Sequence, residues 1–544
     1  MFSSRVRRII QPFRPRFLLK SRAKVIGTPC SRSYSALTES FVKGELEPPL
    51  LEETIYANFA DKVQRFGDRP CVVSRHQGDE GRLTYSALDD AAARLASGFL
   101  ELGLKPGDRV AMWSFNNWEW IAMQIATARV GLVLVNLSPA YTAPELRHAL
   151  SLTGCKAVVT QVGSSSATGA DHQFMDVIRE VIPEIDGVGP GGTVQSASFP
   201  ELEFIIGTAS TDNVPLTNGV TPFQDLMTAD PTSPALIAAS EGLHIDDAIN
   251  IQFTSGTTGL AKGTTLTHRN ILNNGNQIGS RMGLTPNDSV CVPVPMFHCF
   301  GLVLGSLAAL THGSSVVFPA ETFDPLATLQ VVHDERCTAL HGVPTMFLAE
   351  LNHPRFKEFD LSSLRTGIMA GTLCPVDVMR RVVSDMNITE MTVCYGMTET
   401  SPVTFQTKRS DGIGPRTSSI GTVHPHVEAK IVAAASEEDD DSDINSDAPP
   451  DGTPLPVGEA GELWTRGYVV MKGYWNEPDK TEEAIVDGCV LGTVVWNLRV
   501  HCCSAKFTTF DFVHKYMLAA GCEREIWRCW TNMDTAASLA VAKT

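Results

Sequence analysis

With 544 residues, 43% of them hydrophobic, the chain can bury a large core and is too long for a single small domain. A formal charge of −17 argues against nucleic acid as a partner, so any site for a polyanion must concentrate positive charge locally. No apolar run reaches the roughly eighteen residues of a membrane span; the longest candidate, 300–310, is interrupted by Gly301 and Gly305 and reads as a buried helix.

Residues 1–38 hold nine Lys or Arg, several serines and neither Asp nor Glu, the composition of a mitochondrial transit peptide. Arg32-Ser33-Tyr34-Ser35 is similar to a matrix-processing pattern with an arginine just upstream of the cut. A basic arm for nucleic acid is the alternative, but no basic patch interleaved with aromatics follows it. From 48 to 160, helix and strand patterns alternate. Ala91, Leu95, Phe99 and Leu100 share one helical face, and Pro106-Gly107-Asp108 turns the chain into a strand at Arg109–Trp113. A helix at 118–129, a strand at 130–136, a helix at 144–152 and a strand at 157–159 follow. This alternation predicts an α/β architecture with a largely parallel sheet. Residues 163–218, with Ser164-Ser165-Ser166, Gly189-Pro190-Gly191-Gly192 and no sustained period, read as a long surface excursion.

Ile249-Asn250-Ile251-Gln252-Phe253 reads as a strand running into Thr254-Ser255-Gly256-Thr257-Thr258-Gly259-Leu260-Ala261-Lys262-Gly263. Glycines and small hydroxylated residues let a backbone come close to an anion and turn successive N–H groups toward it, and Lys262 adds a point charge. The spacing is not that of a P-loop, because Leu260 and Ala261 separate Gly259 from Lys262 and a glycine follows the lysine. A flexible surface loop is the ordinary meaning of such a composition. The string from Phe253 to Gly263, however, resembles the signature loop of the adenylate-forming enzymes: acyl-CoA synthetases, luciferases and the adenylation domains of peptide synthetases. Tyr395-Gly396-Met397-Thr398-Glu399-Thr400 resembles that family's next motif. Gly461-Glu462-Leu463 through Gly473-Tyr474-Trp475-Asn476 resembles a later one, in the same order, so the resemblance spans about 45–488.

The resemblance implies a region of two α/β subdomains and a smaller β-rich one. It implies a reaction in which a carboxylate attacks ATP to give acyl-AMP and pyrophosphate, after which the CoA thiol displaces AMP. Thr254, Ser255, Gly256, Thr257, Thr258, Gly259, Leu260, Ala261 and Lys262 would hold the ATP phosphates, with Lys262 also catalytic. Thr398 would touch phosphate and Glu399 would ligate Mg2+, whose charge neutralises the reacting phosphate and the leaving pyrophosphate. Gly371, Thr372, Tyr395 and Gly396 would border the nucleotide, Gly371 also the acid, and His298, in a segment similar to the family's Pro-x-Phe-His loop, would shape the acyl site. A lone histidine among apolar residues is more often structural. The same holds for His268, at the start of a helix that the Thr267 hydroxyl can cap. In character the chain is most similar to mitochondrial medium-chain fatty acyl-CoA ligases, although an aryl- or amino-acid-activating ligase would carry the same loop.

Glu437-Glu438-Asp439-Asp440-Asp441-Ser442-Asp443 opens a self-repelling, Pro-rich segment over about 434–456, read as a solvated loop inserted between two strands. After Gly488 the resemblance is expected to stop. The family's Thr-Gly-Asp, Arg hinge and α+β C-terminal domain with its catalytic lysine find no counterpart, which predicts impaired thioester formation and keeps a nucleotide-binding fragment or splice form as an alternative. Residues 489–544 form a divergent tail with five of the 13 cysteines, Cys489, Cys502, Cys503, Cys522 and Cys529. Their spacing, even with His501 and His514, is a poor zinc pattern, and reduced thiols fit a matrix-targeted chain.

Overall fold

The computed structural model describes residues 38–162, 174–208, 218–254, 260–433 and 452–495. The readings made for the basic leader before residue 38, the acidic run 434–451 and the tail from 496, with its Cys502, Cys503, Cys522 and Cys529, lie outside the described residues. So do Ser255, Gly256, Thr257, Thr258 and Gly259.

Strands buried on both faces must be apolar on both, and those of the first half of the chain are. Arg109–Trp113 lies inside an eight-stranded sheet ordered Gly473–Tyr474, Lys262–Thr267, Ala248–Thr254, Val133–Leu137, Arg109–Trp113, Ala157–Gln161, Phe204–Thr208 and Val220–Pro222. All pairs are parallel except those of Lys262–Thr267, which runs antiparallel to both neighbours. The second sheet has nine strands: Thr422–Val423, Val403–Gln406, Glu390–Gly396, Thr366–Met369, Ala339–Gly342, Ser289–Cys291, Ser315–Phe318, Pro70–Ser74 and Arg82–Thr84. From Glu390–Gly396 to Pro70–Ser74 it is parallel.

Side-chain alternation along these strands sets the layers. Val110 and Met112 face a central core with helices Tyr85–Glu101, Trp118–Val130 and His268–Met282, and Val290, Val316 and Ile368 of the second sheet enter the same core. Ala111 and Trp113 point the other way, beneath helices Ala143–Thr153 and Phe174–Val181. On the far face of the second sheet, Val317, Leu340 and Met391 pack under Pro325–Asp334, Pro344–Leu351 and Val376–Asp385. The outcome is five layers, helix–sheet–helix–sheet–helix. A third, antiparallel sheet of five strands, Phe41–Lys43, Val427–Val432, Gly461–Gly467, Cys489–Val495 and Ile485–Val486, forms the smaller β-rich unit. Cys489–Val495 pairs with Gly461–Gly467, so this sheet continues past Gly488, where the family-like region was expected to end.

The reading of 163–218 as a surface excursion is corrected. Phe174–Val181 is a helix and Phe204–Thr208 a strand within the sheet, with Ile205 and Ile206 fully buried. A short, uniformly apolar strand shows no period of two and hides between Gly- and Ser-rich flanks. The strand expected at 130–136 begins at Val133, because helix Trp118–Val130 runs on to Gly131, which caps it in the left-handed region at φ +70°. The helix expected at 300–310 is fully buried, but Phe300–Leu307 is wound as a π-helix before the short α-turn Ala308–Leu310, a widening often found beside functional sites. Strand Lys262–Thr267 has no counterpart in the sequence reading. The Thr267 cap is present: its hydroxyl accepts from Asn270 N at 3.2 Å, and Asn270 Oδ1 accepts from Thr267 N at 2.9 Å. Among the described residues no helix is long and apolar enough to cross a membrane, and the eight described cysteines are free thiols.

Candidate active site

Thr254 and Lys262 sit directly opposite each other in register, so the strands on either side of the signature loop run antiparallel. Leu260 is 65% exposed, and the Ala261 carbonyl is held by His148 Nε2 at 2.8 Å. Thr254 Oγ1, at the base, is buried and has no hydrogen-bond partner among the described residues.

Thr264 pairs with Tyr474 across the sheet edge. Lys262, two residues earlier, shares its face and is the diagonal neighbour of the tyrosine. Lys262 Nζ donates to Tyr474 Oη at 2.9 Å and lies 4.1 Å from the ring centroid. Tyr474 Oη in turn donates to Glu399 Oε1 at 2.8 Å. Glu399 is only 6% exposed, and the Tyr474 hydrogen bond falls on one of its two carboxylate oxygens. Burial, together with the nearby Glu399 charge, pushes the Tyr474 phenol well above its ordinary pKa and keeps it a protonated donor. The chain is laced here by backbone hydrogen bonds: Met471 N to Glu399 O at 2.9 Å, Lys472 N to Thr265 O at 2.9 Å and Trp475 N to Gly263 O at 2.8 Å. Gly473, at φ +141°, must be glycine, since a Cβ would come within 2.7 Å of Thr481 Cγ2. The Thr481 hydroxyl accepts from Tyr474 N at 2.8 Å.

Glu399 and Thr398 belong to a single helical turn, Thr398–Thr400, that follows the strand Glu390–Gly396. At Gly396 a Cβ would stand 1.8 Å from the Pro402 carbonyl oxygen, so the chain returns on itself there only without a side chain. Tyr395, half-buried, meets Phe405 edge-on at 6.3 Å. Gly371 and Thr372 follow the adjacent parallel strand Thr366–Met369, at the same carboxyl edge of the sheet. Ser289–Cys291 lies between Ala339–Gly342 and Ser315–Phe318, where strand order reverses; crevices beyond the carboxyl ends at such reversals are the ordinary ligand sites of open α/β sheets. The loop leaving that strand carries His298. Its side chain is open to solvent. His298 Nδ1 accepts from Phe300 N at 3.1 Å. The neighbouring Cys299 Sγ stands 3.6 Å from that Nδ1 and 4.0 Å from Thr398 Oγ1, and burial pushes its thiol up to about 12.

The fold therefore joins Lys262 to Glu399 through Tyr474, and brings His298 to Thr398 through Cys299. Gly371 and Thr372 stand just past the carboxyl end of the adjacent strand Thr366–Met369. His268 takes no part: it is fully buried and its Nδ1 accepts from Ile55 N at 3.2 Å. Sequence reasoning passed over Tyr474 and Cys299 as site residues. The available signal was the tyrosine placed immediately after a motif glycine. A buried carboxylate with one of its two oxygens tethered is a hard oxygen donor that fits Mg2+.

A profile of the AMP-binding enzyme family matches residues 59–475. The chain belongs to the AMP-binding enzyme family. Relatives in the family include the mitochondrial medium-chain acyl-CoA ligase ACSF2 of Danio rerio, 38% identical over 87% of this chain and 75% of that one. The acyl-CoA ligase sidI of Aspergillus fumigatus is 40% identical over 82% and 70%. Among solved structures, the anthranilate CoA ligase AuaEII in complex with anthranoyl-AMP superposes with a TM-score of 0.68 at 18% identity, over 84% of this chain and 78% of that one. The N-terminal domain of FACL13 from Mycobacterium tuberculosis gives 0.67 at 22%, over 85% and 100%. At these identities the structural matches speak for the fold alone: two α/β units and a smaller β-rich one.

Proposed function

We propose that the protein is an ATP-dependent acyl-CoA ligase that activates a medium-chain fatty acid as acyl-AMP and passes the acyl group to CoA in the mitochondrial matrix. The observation that carries the reading is the meeting of Lys262 and Glu399, from two separate motifs, on one hydroxyl beside the signature loop. The relatives' names support the acid class, and the acid-free basic leader supports the compartment.

In this reading the backbone of 254–262, Ser255, Gly256, Thr257, Thr258 and Gly259 included, and the Lys262 ammonium hold the triphosphate. A carboxylate oxygen of the acid attacks the α-phosphorus, the bond to the bridging oxygen breaks, and pyrophosphate leaves. Glu399 would hold Mg2+, which supplies positive charge to the α-phosphate and the leaving group. Thr398 donates its hydroxyl to a phosphate oxygen, while Gly371, Thr372, Tyr395 and Gly396 line the nucleotide. With Nδ1 occupied as an acceptor and the ring neutral, His298 offers Nε2–H to the acid at the acyl entrance. The CoA sulfur then attacks the acyl carbonyl carbon, and AMP departs with the electron pair of the acyl–oxygen bond.

The test is ATP–pyrophosphate exchange with octanoate present and absent, beside Lys262→Ala and Glu399→Ala. Exchange should depend on octanoate and fall by about a hundredfold or more in each variant. Acid-independent exchange, or variants equal to the parent, would defeat the reading, and a preference for benzoate over octanoate would replace the fatty acid with an aryl substrate.

A further inference from the structure

Tyr474 stands outside the signature loop and outside the Thr398–Glu399 turn, yet its hydroxyl is the contact the two share. We propose that Tyr474 is a positioning residue of the adenylation centre, whose hydroxyl spaces the Lys262 ammonium from the Glu399 carboxylate so that the lysine stays free for phosphate and one glutamate oxygen for the metal. The proposal rests on the function given above.

Lysine and glutamate brought this close without a spacer would pair directly, each neutralising the charge the other needs to offer a ligand. A neutral phenol prevents this while competing with neither the metal nor the phosphate. Its single hydrogen goes to Glu399 and its oxygen accepts from Lys262, so the direction of both hydrogen bonds is fixed. Both are charge-assisted, the stronger class of hydrogen bond, and the ring face adds a cation–π hold on the ammonium. The tether of Tyr474 to Glu399 Oε1 leaves the other oxygen for the metal. The mounting is rigid: the glycine before Tyr474, the Thr481 hydroxyl on its amide and the backbone bonds of Met471, Lys472 and Trp475 leave the ring little freedom. A phenylalanine would fill the same volume, so packing alone does not account for the hydroxyl.

The experiment replaces Tyr474 with phenylalanine in the full chain. It follows the melting temperature, calorimetric ATP binding with EDTA and across a Mg2+ titration, and the kinetics of pyrophosphate exchange. Expected are a near-parental melting temperature and an ATP affinity in EDTA within about threefold. The Mg2+ concentration for half-maximal ATP binding should rise about tenfold or more, as loss of a hydrogen bond to a charged group implies, with kcat falling while KM for octanoate holds. A parental Mg2+ dependence in the folded variant would overturn the proposal. If phenylalanine lowers the melting temperature markedly, 4-aminophenylalanine at 474 keeps the shape and returns a neutral N–H donor to Glu399 Oε1. The Mg2+ concentration for half-maximal ATP binding should then return to within about threefold of the parent, and a value still about tenfold higher in the folded variant overturns the proposal equally. Failure of the acyl-CoA ligase reading would look different: a parent chain that binds ATP but shows no acid-dependent exchange, with the Mg2+ titration still deciding the role of Tyr474.

Discussion

His298 and His268 both follow runs of apolar and small residues, and the fold places them in opposite surroundings. His298 sits in the loop at the strand-order reversal, open to solvent and tied to Phe300 N. His268 is sealed in the core, where burial pulls its imidazole down to about 4 and its Nδ1 serves Ile55 N. His298→Ala should raise KM for octanoate about tenfold and leave KM for ATP unchanged, the discrimination expected of one lost polar contact to the acid. His268→Ala should cost about 1–3 kcal/mol of stability in urea unfolding with near-parental kcat/KM, since it orphans a buried N–H without touching ligand. At this scale Lys262, Thr398 and Glu399 could be singled out because each lies in a contiguous motif whose residue types suit phosphate and metal, and the fold brings Lys262 and Glu399 onto one hydroxyl. The part of Tyr474 was not legible: its partner Lys262 lies 212 residues away and is reached by a diagonal cross-strand contact that no local spacing encodes.

Elements were legible where a period was long enough to see. The helices at 85–101 and 118–130 carry extended apolar faces and recognisable ends, and the strand Arg109–Trp113 lies where its turn predicted. Phe204–Thr208 carries five residues without alternation, because both its faces are buried: Ile205 faces the outer core with Val158, and Ile206 the central core with Val159. Strand Lys262–Thr267 escaped notice because Gly263, Thr264 and Thr265 look like a continuation of the loop. If Phe204–Thr208 is an internal strand, Ile206→Ala should lower the unfolding free energy by about 2–5 kcal/mol, the cost of removing a fully buried isoleucine. A surface loop would lose almost nothing. Urea denaturation of the two proteins side by side decides between them.

At the scale of the whole molecule, the two large sheets share one central core, and a buried polar seam crosses between them. Gln77 Nε2, from the 3-10 turn Arg75–Gln77 that joins two strands of the second sheet, donates to both Glu119 oxygens at 3.1 and 2.8 Å. Gln161 Nε2, at the end of a first-sheet strand, donates to Glu321 Oε1 at 2.7 Å. Asn116 bonds Glu321 O through its amide and holds Val294 O and Met296 N with its side chain, at 3.0 and 2.8 Å, so the seam also anchors the loop that presents His298. Burial raises the Glu119 carboxyl to about 7, with Gln77 opposing the shift. The folded state therefore binds a proton that the unfolded state releases near 4.5, and the Glu119 contribution makes stability fall as pH rises from about 4.5 to about 7, then level off. Glu119→Gln can keep the bond from Gln77 through its carbonyl oxygen and removes the titration. Unfolding free energies measured across this range should diverge in favour of the variant as pH rises, by no more than about 3 kcal/mol near pH 8. Carboxylates remote from Glu119 titrate in both proteins and cancel from the difference, whereas the charges of Glu80 and Glu321 add to the Glu119 shift and belong to the measured divergence. Parallel pH curves would mean that the seam holds Glu119 ionised, and that the two halves meet across a charged contact instead of a neutral one.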